Sequence, residues 1–362
     1  MKVALLTFQC ALSYGAVFQA SALCRHLIRA GHDVELVDYR PRELLRPWDW
    51  RTARFFGLHP DTVAKGLLRH RFDSFVSRHL PLSPRVYRSF EELKKAPPEA
   101  DAYICGSDQI WNPDIFGGRL NPAYFLDFAP IGKRRIAYAA SLGTDTLREE
   151  YHPELKRLLT KLDFLSCREA GSAEFLASVS ERDVRAVLDP TLLDAFPADA
   201  PMDTRGLGEK AYVLGYALQH TPGMIQSMRA AAAEFKLPLR TINGSSQFWK
   251  QMPWAEYPPP DRWLGLLKHA RAVVTSSYHG IAYSIRFRKN FVAVPLVGRT
   301  AMRNARTNEL LKLLGLESRR VAGGDIPAVR QALRTAIDWE DVERRIAALR
   351  SKSAQFLAEA LQ

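Results

Sequence analysis

Cysteine is scarce: the 362 residues hold four, Cys10, Cys24, Cys105 and Cys167, and no C-x-x-C pair. That spacing argues against a zinc ribbon and gives no disulfide framework to a chain of this length. Cys10, Cys105 and Cys167 stand in apolar or strand-like stretches and read as small buried hydrophobes. No apolar run approaches the roughly 18–20 residues of a membrane span. The opening MKVALLTF is short and has no small-residue cleavage site, so a secretory leader is not expected and the protein is expected in the cytoplasm. There is no G-x-G-x-x-G fingerprint, no repeat at a fixed period and no low-complexity tract. Acid is in deficit, with 39 Asp and Glu against 51 Lys and Arg, a net charge of +12. Such a balance favours anionic partners: phosphorylated substrates, nucleic acid or an anionic membrane face. No nucleic-acid-binding module is recognisable, and nucleic acid is not expected as a partner.

What is present is ordinary globular composition, 47% hydrophobic and 25% charged, at a length that suits two domains. Val3 to Phe8 is a nearly continuous apolar run, as in a strand covered on both faces. Val17, Ala20, Leu23 and Leu27 follow at helical spacing, Gly31 closes that helix, and DVELVD at 33–38 reads as a second strand. This is a β-α-β unit with parallel strands. Further strands are expected at 101–105, 135–141, 163–167 and 184–188. Pro197 and Pro201 mark a linker, and a second strand-helix series runs from Ala211 to Pro295. The fold expected is α/β, two doubly wound Rossmann-like domains facing a cleft. They span 1–196 and 205–330, with the closing helices of 331–362 expected to pack back on the first domain. Residues 40–95 carry thirteen Lys or Arg against six Asp or Glu, interleaved with Trp48, Trp50, Phe55, Phe56, Phe72, Phe75, Tyr87 and Phe90. They read as a basic aromatic insertion between the second and third strands, either a solvated face or a surface for an acceptor or anionic membrane.

In doubly wound sheets ligands sit at the carboxyl ends of the strands, so the strand-to-helix turns carry the chemistry. The first holds Ser13 and Gly15 at a helix start, fit either to receive an anion or to cap the helix. The second is Gly106-Ser107-Asp108-Gln109-Ile110-Trp111-Asn112. Asp108 is placed to accept a proton from a substrate hydroxyl, and Gln109 and Asn112 to touch an anion or acceptor; capping of the next helix is the plainer role. In Ser166-Cys167-Arg168-Glu169, the Arg168 guanidinium suits a carboxylate or phosphate, or a structural pair with Glu169. In Thr275-Ser276-Ser277-Tyr278-His279-Gly280, His279 stands beside the backbone donors of a helix start, fit to bind phosphate or move a proton. A later turn gathers Arg299, Arg303 and Arg306, suited to an anion or to solvent.

Five segments together resemble the polysaccharide pyruvyl transferase family: YGAVFQ at 14–19, GSDQIWN at 106–112, RIAYAASLG at 135–143, SCRE at 166–169 and TSSYHG at 275–280. They occur in the family's order and span most of the chain. The resemblance implies a GT-B-like fold, phosphoenolpyruvate as donor and co-substrate, no cofactor or metal, and a sugar or lipid-linked oligosaccharide acceptor that receives a pyruvyl ketal. It further implies that Arg168 and His279 bind the donor; Tyr278, Ser277, Ser13 and Gly15, by their place in the turns, are read as further donor contacts. Some members carry an arginine two residues before that histidine. Here Ser277 stands there, which leaves the third cation to Arg303 or Arg306. On this reading His279 is the acid, Asp108 the base, and contact with the inner membrane face is peripheral. The rival reading is a GT-B glycosyltransferase that uses a nucleotide sugar; no acidic ribose clamp supports it.

Overall fold

The structure is a computed structural model and describes residues 1–45, 60–197, 199–242 and 255–362. Of these, 1–45, 76–195 and 347–362 form one compact unit, and 60–75 with the described part of 196–346 a second.

The first unit opens with β1 (Lys2–Leu6), α1 (Tyr14–Arg29) and β2 (Asp33–Tyr39). α2 (Pro60–His79), whose residues 60–75 belong to the second unit, comes next along the chain, and the first unit continues with β3 (Leu82–Tyr87), α3 (Phe90–Lys95) and β4 (Ala102–Cys105). Then follow β5 (Arg134–Ala140), α4 (His152–Leu159), β6 (Phe164–Cys167), α5 (Ala170–Ser180) and the two-residue β7 (Arg185–Ala186). All seven strands are parallel, in the order β3-β2-β1-β4-β5-β6-β7. Val3, Ala4, Leu5 and Leu6 are buried, which is why β1 is apolar without alternation: helices cover both sheet faces. Ser13 caps α1 by accepting from the Ala16 N–H, and Gly31 follows its C-terminal end with φ +88°. The order reverses direction between β1 and β4, so their carboxyl ends form the switch point of this sheet.

The second unit repeats the scheme on a smaller scale. It holds β8 (Val213–Tyr216), α6 (Pro222–Phe235), β9 (Leu239–Ile242), α7 (Pro260–His269) and β10 (Ala272–Thr275). These are followed by α8 (Tyr278–Arg286), β11 (Asn290–Ala293), α9 (Asn304–Leu313) and α10 (Ile326–Arg334). Its four strands are parallel in the order β11-β10-β8-β9, with the reversal between β8 and β10. Val213, Met228, Val274, Val292 and Val329 fill its core. The last helix, α11 (Trp339–Ala360), starts in this unit, and its final part belongs to the first. There the Leu188 N–H donates to Ser353 Oγ at 2.9 Å, and the Phe356 ring lies 6.3 Å from that of Tyr138.

Two expectations change. The stretch 40–95 is not an insertion throughout: β3 lies inside it and pairs with β2 at Leu36–Leu82 and Asp38–Val86. Its Pro84, Arg85 and Val86 are exposed, so the outermost strand lacks the apolar run that marks the inner ones. Phe72, Phe75 and Tyr87 of that stretch are buried, whereas Trp48, Trp50, Phe55 and Phe56 lie outside the described residues. The strand expected at 184–188 shrinks to Arg185–Ala186: the Val187 N–H still donates to the Cys167 carbonyl of β6, but the Leu188 N–H turns to Ser353 of α11. Among the described residues no helix is long and apolar enough to cross a membrane, and no group of His, Cys, Asp or Glu is arranged to hold a metal.

Candidate active site

At the switch point of the larger sheet, β1 and β4 end side by side, with Leu6 opposite Cys105. The chain then turns through Gly106, where φ is +120° and a Cβ would lie 1.9 Å from the Tyr138 carbonyl oxygen, so no other residue fits. Ser107 is fully buried and bonded on every side. Its N–H donates to Gln19 Oε1 at 2.9 Å, its Oγ to the Ala139 carbonyl at 2.7 Å, and its own carbonyl accepts from Thr7 Oγ1 at 2.9 Å. Gln19 in turn donates to Thr7 Oγ1 and to the Ala16 carbonyl. The polar residues of the first helix and of the glycine turn are thus one hydrogen-bonded lock, which is why they can be buried.

Beyond the lock Asp108 takes φ +78° and Ala139 of the neighbouring strand φ +49°. Left-handed backbone at non-glycine residues costs free energy and is retained where the surroundings impose it. Asp108 also pairs with Ala140 in an isolated parallel bridge, so the aspartate is held at the rim of the sheet. Its Oδ1 accepts from the Gln109 N–H at 2.8 Å and lies 4.0 Å from Arg168 Nη2; 12% of the side chain is exposed.

Arg168 follows β6 and is buried. Its Nε donates to Glu169 Oε1 at 2.9 Å and its Nη1 to Asp189 Oδ2 at 2.7 Å. The guanidinium is therefore the centre of a cluster with three carboxylates, Asp108, Glu169 and Asp189, two of them in direct contact. Asp189 was not singled out by the sequence, yet it organises this end of the unit. Besides Arg168, it accepts from the Thr191 N–H at 2.9 Å and the Thr191 hydroxyl at 2.6 Å. Its signal was Asp-Pro-Thr: an aspartate N-cap with proline at the first helical position. Glu169 is likewise fixed, accepting from Ser141 Oγ at 3.0 Å.

Gln109 and Asn112 satisfy each other, with Asn112 Nδ2 donating to Gln109 Oε1 at 3.0 Å. The Asn112 carbonyl oxygen Oδ1 caps the short helix Pro113–Phe116. Trp111 anchors the segment by stacking on Phe125 at 5.0 Å and donating to the Tyr124 carbonyl. That short helix leads to a cavity of about 920 Å³ beyond the carboxyl ends of β2 and β3. Tyr39 and Phe116 offer aromatic surface there, and Arg88, Arg119, Glu91 and Asn121 offer donors and acceptors.

The second unit presents its own switch point. Thr275 ends β10, and its Oγ1 accepts from the Ser277 N–H at 3.0 Å. Ser277 caps α8, accepting from the Gly280 N–H at 3.3 Å, and Ser276 Oγ accepts from the Leu218 N–H at the end of β8. His279 is the second residue of α8 and 7% exposed, with its ring 5.2 Å from that of Tyr278. Behind them Tyr216 is buried, which pushes its phenol up to about 12. Ser277, Tyr278 and His279 are thus together at one helix start. Ser13 and Gly15 lie at the start of α1 in the other unit, where the Ser13 hydroxyl is used as the cap. Arg303 ends the turn Gly298–Arg303, and Arg306 is buried in α9 with its Nε 3.5 Å from the Arg303 carbonyl.

The sequence model of the polysaccharide pyruvyl transferase family matches residues 14–296. The chain belongs to that family. Comparison with curated proteins gives no match. Among solved structures, AviGT4, a glycosyltransferase involved in avilamycin A biosynthesis, aligns at TM-score 0.53 and 14% identity, covering 99% of this chain and 96% of that one. The UDP co-structure of MnaA from S. aureus aligns at TM-score 0.51 and 13% identity, covering 95% and 90%. The glycosyltransferase of kitacinnamycin aligns at 0.50 and 14%, covering 100% and 99%. At such identities the likeness is one of fold, the two-sheet GT-B type. This pyruvyl transferase family member is a transferase on that fold.

Proposed function

We propose that the protein transfers the enolpyruvyl group of phosphoenolpyruvate to a sugar of a glycan or lipid-linked precursor and closes it as a pyruvyl ketal. The observation that carries this is the Asp108–Arg168 cluster at the switch point, in a chain of this family. In the reaction the donor methylene gains a proton and becomes the ketal methyl group. One sugar hydroxyl bonds to the adjacent carbon, a second hydroxyl closes the ring, and the C–O bond to phosphate breaks. One hydroxyl proton accounts for the new methyl, and the other leaves with phosphate.

Within the first unit Asp108 is the base for the attacking hydroxyl, with the Arg168 guanidinium 4.0 Å from its carboxylate. Glu169 and Asp189 keep that guanidinium in place, so Arg168 acts on Asp108 as well as on a donor anion. Within the second unit His279 is the acid, and the N–H groups at the start of α8 favour an anion. The cavity past β2 and β3, with aromatic faces beside charged donors and acceptors, fits the acceptor saccharide. No step calls for a metal or cofactor; phosphoenolpyruvate is a co-substrate.

Thermal shift with phosphoenolpyruvate, UDP-sugars and plain phosphate is the direct test. A rise specific to phosphoenolpyruvate and lost in His279→Ala is expected. A rise with a nucleotide sugar alone would replace this reading by glycosyl transfer.

A further inference from the structure

The four-stranded sheet has a second end. Ala211, Arg271, Lys289 and Asn290 lie within two residues before β8, β10 and β11 or open them, and they line a cavity of about 570 Å³. Its other walls include His269, Arg288 and Trp339. His279 lies past the opposite, carboxyl ends of these strands, about 13 Å of four-residue strand away.

The lining contains no carboxylate. With Lys268 next to His269, four cationic side chains gather here: Lys268, Arg271, Arg288 and Lys289. Among the described residues none of the four side chains makes a salt bridge or hydrogen bond. Arg271 lies over the Phe235 ring at 5.3 Å. Burial, then Lys268 and Arg271, hold the Lys289 ammonium below its usual range, with no acid to offset them.

Helix ends could account for cations. α6, α7, α8 and α10 all close on this edge of the sheet, and each C-terminus is worth about half a negative charge. The end of α10, however, is already answered: Arg319 donates to the Ala332 and Thr335 carbonyls, and Asn290 Nδ2 to that of Leu333. The three remaining helix ends offset about one and a half charges of the four. Asp338 is adjacent to Trp339, but it caps the start of α11 through the Glu340 and Asp341 N–H groups. Counting it fully still leaves an excess of about one and a half positive charges, close to the charge of one phosphate monoester at neutral pH.

We propose that this cavity is a binding site for a phosphate-bearing group, separate from the donor and acceptor sites and independent of which reaction the protein catalyses. The group could belong to a free phosphorylated metabolite or to a phospholipid headgroup.

Calorimetric titration with inorganic pyrophosphate tests the site. Wild type and His279→Ala are both expected to retain it. The variant Arg271→Ala/Arg288→Ala/Lys289→Ala is expected to weaken binding at least tenfold, since each charge-assisted contact is individually worth about that factor. Its melting temperature should not fall, because the removed charges repel one another. Vesicles of phosphatidylglycerol, with phosphatidylcholine as control, separate the sources: sedimentation with the former, displaced by pyrophosphate, marks a headgroup, and pyrophosphate binding without sedimentation marks a free ligand. Unchanged pyrophosphate affinity in the triple variant overturns the site. So does the absence of any binding that survives His279→Ala, or a lowered melting temperature with unchanged affinity, which would assign the cations to the helix ends.

Discussion

Asp108 and Asp189 both flank the Arg168 guanidinium, yet substitution should separate them. Asp108 is partly exposed, 4.0 Å from Arg168, and has left-handed backbone. Asparagine tolerates that backbone well, so Asp108→Asn removes the base without disturbing the turn. Turnover should drop about 10²- to 10⁴-fold with the melting temperature near wild type. Normal kcat in this variant would remove Asp108 from the mechanism. Asp189 is fully buried and bonded to Arg168 and Thr191. Asp189→Ala leaves a buried cation with less compensation, a loss of about 3–5 kcal/mol for a broken buried pair. Because Glu169 still holds Nε, the lower end of that range is expected in urea denaturation. The asymmetry also explains what the sequence could show of this site. Asp108 stands in a run of polar residues after a strand, an arrangement that requires explanation in any fold. Asp189 looks like an ordinary helix cap, and its second role appears only when β6 brings Arg168 to it from 21 positions away.

At the scale of the element, the start of α8 depends on one missing side chain. A Cβ at Gly280 would sit 2.4 Å from Thr275 Oγ1 and 3.1 Å from the Tyr216 ring. Gly280→Ala should therefore displace the helix start, at a cost of about 1–3 kcal/mol from overpacking, and move His279 with it. Both the melting temperature and the phosphoenolpyruvate-dependent shift should fall. Adding Thr275→Ala removes the clashing oxygen and should recover part of the stability; no recovery in the double variant would place the cause elsewhere. The inner strands of both sheets were legible because burial on two faces forces an unbroken apolar run, as at Val3–Leu6 and Ala272–Val274. β3 was not: at the sheet edge, Pro84, Arg85 and Val86 face solvent and their sequence resembles a basic loop. The turns were legible as sites but not in their wiring. Gln109 and Asn112 read as ligand contacts, and the structure shows them bonded to each other.

For the whole molecule the relevant quantity is how proton binding differs between folded and unfolded chains. Burial lowers the pKa of His32, His220 and His269 below 6.5, that of His220 to about 4. Between about pH 6.5 and 4 the unfolded chain takes up protons at these sites that the folded chain refuses. Stability must then decrease as pH falls through that window. Paired carboxylates act lower down: Asp203, held at about 2 by Arg205, contributes stability that is lost only below the ordinary carboxylate range. The urea midpoint should thus decline from pH 7 to pH 5, and His220→Gln should flatten part of the decline. The net charge of +12 offers a competing cause, since protonating nine histidines adds to self-repulsion in the compact state. Salt distinguishes the two. Repulsion between exposed charges fades at 0.5 M salt, where the screening length is under half its value at 0.1 M, whereas exclusion of a proton from a half-buried imidazole does not. A decline that survives 0.5 M salt assigns it to these half-buried histidines; one that vanishes assigns it to the surface.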